Sequence, residues 1–240
     1  MELSVLVPCL NEADNLPELV ARIAAVFRDS PAWAERAELV LVDDGSTDET
    51  FALMEAARAA SAFVVTARHA QNLGLPAAWR TALSRSRGRL VCILDADLQY
   101  RPEDLPRLHQ TLIASGADVA QGTRAEVGRE RGSRYLFSRG LNRLLNGLFS
   151  MDLADNKSGF LLCRREVLAD ILDYRGRYRY WQILIMVAAH CRGYRIVEVE
   201  TPFLPRRAGK SFLSSVPLRV MAGCGADLVR GFLEYQLGVR

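Results

Sequence analysis

Short apolar runs alternate with segments of helical spacing through the first half of the chain. Leu3 to Val7 is apolar and β-branched and stops at Pro8, which predicts a strand buried on both faces. After the polar stretch Asn11 to Asn15, residues Leu16, Leu19, Val20, Ile23 and Phe27 recur at helical spacing. Leu39 to Val42 predicts a second strand. It runs into Asp43-Asp44-Gly45-Ser46-Thr47-Asp48, where Gly45 fits a turn and Ser46 or Thr47 can cap the next helix. Phe63 to Thr66 predicts a third strand, Asn72-Leu73-Gly74 a turn, and Pro76 to Arg85 a helix. Leu90 to Leu94 predicts a fourth strand. Strand and helix thus alternate four times, which implies right-handed crossovers and a parallel sheet, an α/β fold.

A helix near Pro106 to Ser115 and a strand from Asp118 to Gly122, running into Thr123-Arg124, extend the pattern, which then breaks. Gly128 and Gly132 interrupt an arginine-rich segment and predict a loop before a helix from about Ser133. Asp155 to Phe160 (DNKSGF) predicts a turn into a strand, Phe160 to Cys163. Glu166 to Leu172 and the longer, mostly apolar Tyr178 to Cys191 predict helices, and Ile196 to Phe203 alternates like a half-exposed strand. Pro205 to Ser211 (PRRAGKS) is a basic loop. Val216 to Leu237 predicts an amphipathic helix, resting on a membrane or partner, or packed on its own domain. The expected organisation is one main domain, 1–212, with a helical appendage, 213–240.

Ligands of parallel sheets lie at the carboxyl ends of the strands, and polar residues collect there: Asn11 and Glu12, Asp43 and Asp44, Asp95 and Asp97. The fourth strand ends abruptly in Asp95-Ala96-Asp97, with Gln99 two residues on. In a continuing strand the two carboxylates share a face; a turn would alter that. Two such carboxylates repel, and a divalent cation removes the conflict, since Mg²⁺ takes one or two carboxylates and completes its shell with water and phosphate. The alternative is a polar strand end, with Pro102-Glu103-Asp104 opening the next helix. Arg134 and Ser138 are four apart and share a helix face; with Arg124 they can hold a phosphate.

Composition narrows the choice. A net charge of +3 over 240 residues does not describe a nucleic-acid binder. The five cysteines are scattered, with no CxxC, and read as buried free thiols. The three histidines are isolated, so a zinc site is not expected. Only Lys157 and Lys210 among the 31 basic residues are lysines. Met1-Glu2 leads straight into a strand, and no apolar run approaches the roughly 18 residues of a membrane span. The expected location is the cytoplasm, peripheral at the cytoplasmic face of the membrane.

LSVLVPCLNEADNL, LVLVDDGSTDET, NLGLPAAWRTAL, LVCILDADLQYRPEDLP, DVAQGTR, DNKSGF and PRRAGKS fall in the order seen in family 2 glycosyltransferases. The combination DADLQ, GTR, SGF and RxxGxS most resembles the polyprenyl-phosphate hexose transferases of the dolichyl-phosphate mannose synthase type, over about Leu3 to Phe212. The resemblance implies a GT-A fold: a mostly parallel, Rossmann-like sheet with helices on both faces. It implies inverting transfer of a hexose, mannose favoured, from a nucleoside diphosphate sugar (GDP-mannose favoured, a UDP-sugar possible) to a polyprenyl phosphate. Carried over by position, Pro8, Leu10, Glu12, Val42 and Asp44 line the nucleotide. Asp95, Asp97 and Gln99 hold Mg²⁺ or Mn²⁺ on the diphosphate, beside Ala96. Arg124, Arg134 and Ser138 bind the acceptor phosphate, and Arg206, with Lys210 nearby, clamps the diphosphate.

A phosphate acceptor is already anionic and needs no base, whereas a sugar hydroxyl needs one, and Asp155 is the available carboxylate. Phe212 stands where such relatives often have a lysine, Trp181-Gln182 where an acidic residue is usual, and Lys157 where a small residue is usual. Two readings therefore stand beside the first: a transferase using a hydroxyl acceptor, and a nucleotide-binding partner subunit without catalysis. The lack of membrane helices further implies a membrane-anchoring subunit as a possible partner.

Overall fold

The structure is a computed structural model describing residues 1–124, 133–174, 178, 180–205 and 218–236, with the backbone alone at 133–135 and 218–221. Seven strands form one sheet: β1 (Leu3–Cys9), β2 (Ala37–Asp43), β3 (Val64–Arg68), β4 (Leu90–Leu94), β5 (Val119–Arg124), β6 (Phe160–Arg164) and β7 (Ile196–Thr201). The helices are α1 (Leu16–Asp29), α2 (Thr50–Ala60), α3 (Leu75–Arg85), α4 (Leu105–Ser115), α5 (Ser133–Phe149), α6 (Arg165–Leu172), α7 (Ile185–Cys191) and α8 (Leu218–Tyr235).

The spatial order is β3-β2-β1-β4-β6-β5-β7. The β1–β4 half is parallel, as alternation demands. β6 runs antiparallel to both its neighbours, with Leu94 opposite Phe160 and Gln121 opposite Leu161. One reversed strand in a mostly parallel sheet has a positional effect: β6 begins where β4 and β5 end. The loop feeding β6 therefore arrives at the same rim as Asp95 and Arg124.

Helices cover both faces. Leu16, Leu19 and Ile23 of α1, Met54 of α2 and Leu108 of α4 pack on one side with Val5, Leu39 and Cys92. Trp79 of α3, Leu145 of α5, Leu168 of α6 and Val187 of α7 pack on the other with Leu6, Val40 and Ile93. All five cysteines are unpaired, and burial pushes the Cys9, Cys92 and Cys163 thiols far above their ordinary range. Buried, neutral thiols behave as small apolar groups.

Two local expectations are corrected. The helix after β2 begins at Thr50, with Glu49 at its N-cap and no side-chain cap. Ser46 and Thr47 are used elsewhere, as described below. The apolar run from Tyr178 is not one helix: a 3₁₀ turn over Trp181–Leu184 precedes α7. It seats Trp181, fully buried, against Tyr174, 4.4 Å between ring centroids.

α8 packs on its own domain. Gly223 lies against the Tyr180 ring and Gly231 against Leu184, where a Cβ would collide, and buried Asp227 accepts the Tyr180 N–H at 2.6 Å. Its outward stripe, with Val229 and Leu233, is exposed, as are Leu144 and Leu148 of α5. Phe149 of α5 and Phe232 of α8 pair at 6.1 Å, which joins the two helices. No helix among the described residues is long and apolar enough to cross a membrane.

Candidate active site

The rim is built from the loops after β1, β2, β4 and β5 and the loop before β6. Its first part is a knot between the β1–α1 and β2–α2 loops. The chain enters a left-handed conformation at Asn11 (φ 56°), which asparagine tolerates. The Asn11 N–H donates to Ser46 Oγ at 2.9 Å, and the Thr47 N–H donates back to Asn11 Oδ1 at 2.9 Å. The Glu12 N–H donates to Thr50 Oγ1 at 2.9 Å, and Glu12 itself accepts from Asn15 Nδ2 at 2.6 Å. Asp43 caps the turn by accepting the Ser46 N–H at 2.9 Å. This knot is why Ser46 and Thr47 do not cap α2.

Of the residues expected to line a nucleotide, Pro8, Leu10 and Glu12 are partly exposed along this edge. Val42 is fully buried between β1 and β3, so its side chain is not presented to a ligand. Asp44 accepts hydrogen bonds from His69 Nδ1 (2.7 Å) and the Leu73 N–H (2.9 Å) on Oδ1, and from the Gly74 N–H (2.8 Å) on Oδ2. Its carboxylate thus ties the β3–α3 loop to the rim. Gly74, at φ 90°, takes a conformation open to glycine alone at little cost.

The second part is the end of β4. The strand does not continue through Asp97: the chain turns at Ala96 and Asp97, so the two-residue rule for a shared face does not apply. Asp97 Oδ1 accepts the Gln99 N–H at 3.1 Å and closes the turn. Between them Leu98 sits at φ 58°, a strained conformation for a bulky residue, costing about 1–3 kcal/mol and typical of functional sites. Its buried side chain anchors the turn. Gln99 pairs with Leu204 through both its backbone carbonyl (2.9 Å) and its side-chain Nε2 (3.1 Å). This pins the start of the segment that leads to Arg206.

Three sequence motifs interlock here. Ser158 Oγ donates to the Gly122 carbonyl at the end of β5. Gly122 has room only for hydrogen, because a Cβ would meet Phe160 at 2.9 Å. A Cβ on Gly159 would land on the Asp95 carboxylate, and the Asp95 N–H donates to the Gly159 carbonyl at 3.2 Å. SGF is therefore the mould against which Asp95 is set.

The third part is charged. Arg124 Nε and Nη2 bind Asp155 Oδ2 and Oδ1 at 2.5 and 2.9 Å, a bidentate pair. Burial works to raise the Asp155 pKa, but the charge and hydrogen bonds of Arg124, with Lys157 adding, hold it below the ordinary 3.8. Burial likewise opposes the Arg124 cation, and Asp155 more than compensates, with Asp95 adding its field. Asp155 is fixed from behind. The Asp155 and Ala154 N–H groups donate to Glu198 at 3.1 and 2.8 Å, and Gln121 Nε2 binds the Asp155 carbonyl and Glu198 together. The Glu198 clamp was not apparent from sequence, where Glu198 fell on the polar face of a half-exposed strand.

Because the folded-state pKa of Asp155 lies below 3.8, the pair stabilises fully above that value and is lost as pH falls further. Asp155→Asn is expected to lower stability at pH 7 by about 3 kcal/mol, the scale for breaking a buried pair. Thermal unfolding across pH should show wild type and variant converging below pH 3.8.

The sequence-predicted residues are thus brought together in part. Asp95, Asp97, Gln99, Arg124 and Asp155 share one end of the sheet, and Ser138 joins them through Lys157, whose Nζ lies 3.4 Å from the Ser138 carbonyl. Arg206, Lys210 and the side chain of Arg134 lie outside the described residues. Among the described residues no three His, Cys, Asp or Glu side chains cluster as a metal cage. Two carboxylates at a strand end suit a cation that takes its remaining ligands from a diphosphate and water.

Three comparisons bear on this arrangement. The chain is 29% identical over 250 residues to an undecaprenyl-phosphate 4-deoxy-4-formamido-L-arabinose transferase of Proteus mirabilis, covering 97% of this chain and 74% of the relative. Among solved structures it resembles glucosyl-3-phosphoglycerate synthase of Mycobacterium tuberculosis in complex with Mn²⁺, UDP and phosphoglyceric acid (TM-score 0.71, 20% identity, 98% of this chain and 78% of that one). It also resembles S. aureus TarS 1–349 in complex with UDP-GlcNAc (TM-score 0.67, 20% identity, 98% and 68%). Residues 4–172 match the family described as Glycosyl transferase family 2; with the reversed strand and the Asp95-Ala96-Asp97 turn in place, the chain belongs to that family and is a glycosyltransferase of the GT-A fold.

Proposed function

We propose that this glycosyltransferase moves a hexose, with inversion, from a nucleoside diphosphate sugar to a polyprenyl phosphate. One observation carries the choice of acceptor: Asp155 is bound bidentately by Arg124 and held below its ordinary pKa. A carboxylate so stabilised is a poor proton acceptor. An acceptor phosphate needs none, because its anionic oxygen attacks the anomeric carbon directly as the bond to the diphosphate breaks. The chain's task is then to position two anions, a role for which the resemblance offers Arg124 and Ser138 on the acceptor side. The Proteus relative, named for an undecaprenyl-phosphate acceptor, supports the same reading.

On the donor side Asp95 and Asp97, with the Gln99 amide oxygen, would hold Mg²⁺ or Mn²⁺. Such a cation, when bound, neutralises charge growing on the departing diphosphate. Pro8, Leu10 and Glu12 would edge the nucleotide, and Arg206 would clamp the diphosphate, as the resemblance implies. GDP-mannose rests on motif resemblance alone. The solved neighbours hold UDP or UDP-GlcNAc, so a UDP-sugar is the first donor to test. The exposed Leu144, Leu148, Val229 and Leu233 give α5 and α8 an apolar face for the membrane that holds the lipid.

The test is nucleoside diphosphate release from a panel of UDP- and GDP-sugars with Mn²⁺, with and without polyprenyl phosphate. Release should require the lipid phosphate, and kcat/KM should rise with pH through about 6, the second ionisation of a phosphate monoester. Release driven by sugar hydroxyl acceptors and indifferent to lipid phosphate would remove the proposal. Binding of nucleotide without turnover of any donor would favour the non-catalytic subunit.

A further inference from the structure

We infer that Asn142 of α5 is a positioning residue for the acceptor: its side-chain amide sets Asp155, and through it Arg124, in register with Ser138. The inference rests on the polyprenyl-phosphate reading above. On that reading the acceptor phosphate meets groups from two separate supports, Arg124 at the end of β5 and Ser138 on α5. The register between sheet and helix then decides where the phosphate sits.

The segment from Met151 to Gly159 carries Asp155 and has no regular secondary structure, so its backbone polar groups need partners outside a ladder. The sheet supplies those of Asp155 itself: its N–H goes to Glu198, and its carbonyl accepts from Gln121. The flanking residues are held from α5. Asn142 Nδ2 donates to the Leu153 carbonyl at 2.8 Å and the Ala154 carbonyl at 3.1 Å. Its Oδ1 accepts the Asn156 N–H at 2.7 Å and Lys157 Nζ at 3.3 Å. An amide has two N–H donors and two acceptor lone pairs, and all four go to residues on either side of Asp155. A carboxylate would turn lone pairs on two carbonyls, and an apolar side chain would satisfy neither set.

Asn142 follows Ser138 by four residues, so the two share a face of α5. The helix is seated independently by Leu141, Leu145 and Phe149, all buried. Asn146, one turn further on, binds the Leu153 carbonyl and the Asn156 side chain. Replacing Asn142 therefore leaves helix and segment attached, with no helix partner for the Ala154 carbonyl or the Asn156 N–H, the groups that bracket Asp155. The nucleotide edge is untouched, because its knot joins the β1–α1 and β2–α2 loops.

The test is steady-state kinetics of the full chain with Asn142→Ala and Asn142→Asp, varying polyprenyl phosphate and nucleotide sugar separately. Asn142→Asp keeps the side chain's shape and its acceptor for the Asn156 N–H, and removes only the donors. Both variants should raise KM for the lipid phosphate by about tenfold to a hundredfold, the scale of one hydrogen bond to a charged group. KM for the donor should stay put. A smaller folded fraction would lower kcat for both substrates and move neither KM, so the split between the two KM values separates positioning from stability. If Asn142→Ala fails to fold, Asn142→Asp decides. An unchanged acceptor KM, with or without a lower Tm, or equal rises for both substrates, overturns the inference and leaves the acceptor reading intact. Wild type unable to use any lipid phosphate overturns both.

Discussion

Asp97→Asn is expected to lower kcat/KM by about a hundredfold to a thousandfold, or about 3–4 kcal/mol, the scale for removing one preorganised electrostatic contact to a transition state. Asparagine is the informative replacement. Its side-chain oxygen still accepts the Gln99 N–H that closes the turn at 3.1 Å, so the loop survives while the charge goes. Stability should fall by about 1 kcal/mol, the centre of the range for single substitutions. The Mn²⁺ concentration giving half-maximal rate should rise with the loss. Sugar transfer undiminished in Asp97→Asn would mean that the end of β4 does not serve the diphosphate.

Gly159→Ala should be nearly as damaging to activity, without touching any charged group. The added methyl would occupy the volume of the Asp95 carboxylate, and Asp95 must swing away from its setting near Arg124. The fold should survive, because the displaced atoms end a short side chain at the rim: about 1–2 kcal/mol for mild overpacking, or a few degrees in Tm for a chain this size. The decisive measurement is a double-mutant cycle. If Gly159 acts by seating Asp95, Gly159→Ala combined with Asp95→Ala should be no worse in kcat/KM than Asp95→Ala alone. Additive losses would show that the glycine serves something else.

The parallel half of the sheet was legible because each strand there is a continuous apolar run closed by a turn signal, and chain order alone places such strands. Leu90 to Leu94 and its carboxylate ending were found from pattern, and so was the strand after DNKSGF. Pattern did not give the direction of that strand. Phe160 to Arg164 reads the same run either way, and only the long-range register with Leu94 and Gln121 reverses it. The apolar run from Tyr178 to Cys191 concealed a 3₁₀ turn, since a buried helix and a buried turn share a hydrophobic profile.

At the site, residue type was legible and partnership was not. Arg124 and Asp155 were both candidates, but 31 positions separate them, and nothing local announces that they bind each other. The proposed phosphate acceptor rests on that pairing. Glu198 was hidden for the same reason: it read as the polar face of a half-exposed strand. Asp44, read as a nucleotide contact, has its carboxylate engaged by the β3–α3 loop.

The reversal of β6 divides the rim into two territories with different histories open to them. Because one strand returns against its neighbours, the 151–157 connection can lengthen, shorten or change its charges without passing through the loops knotted between β1 and β2. Under the function proposed above, a lineage could thus exchange the molecule that receives the sugar while keeping the molecule that delivers it, and segment swaps between relatives along that boundary would be a route to new products.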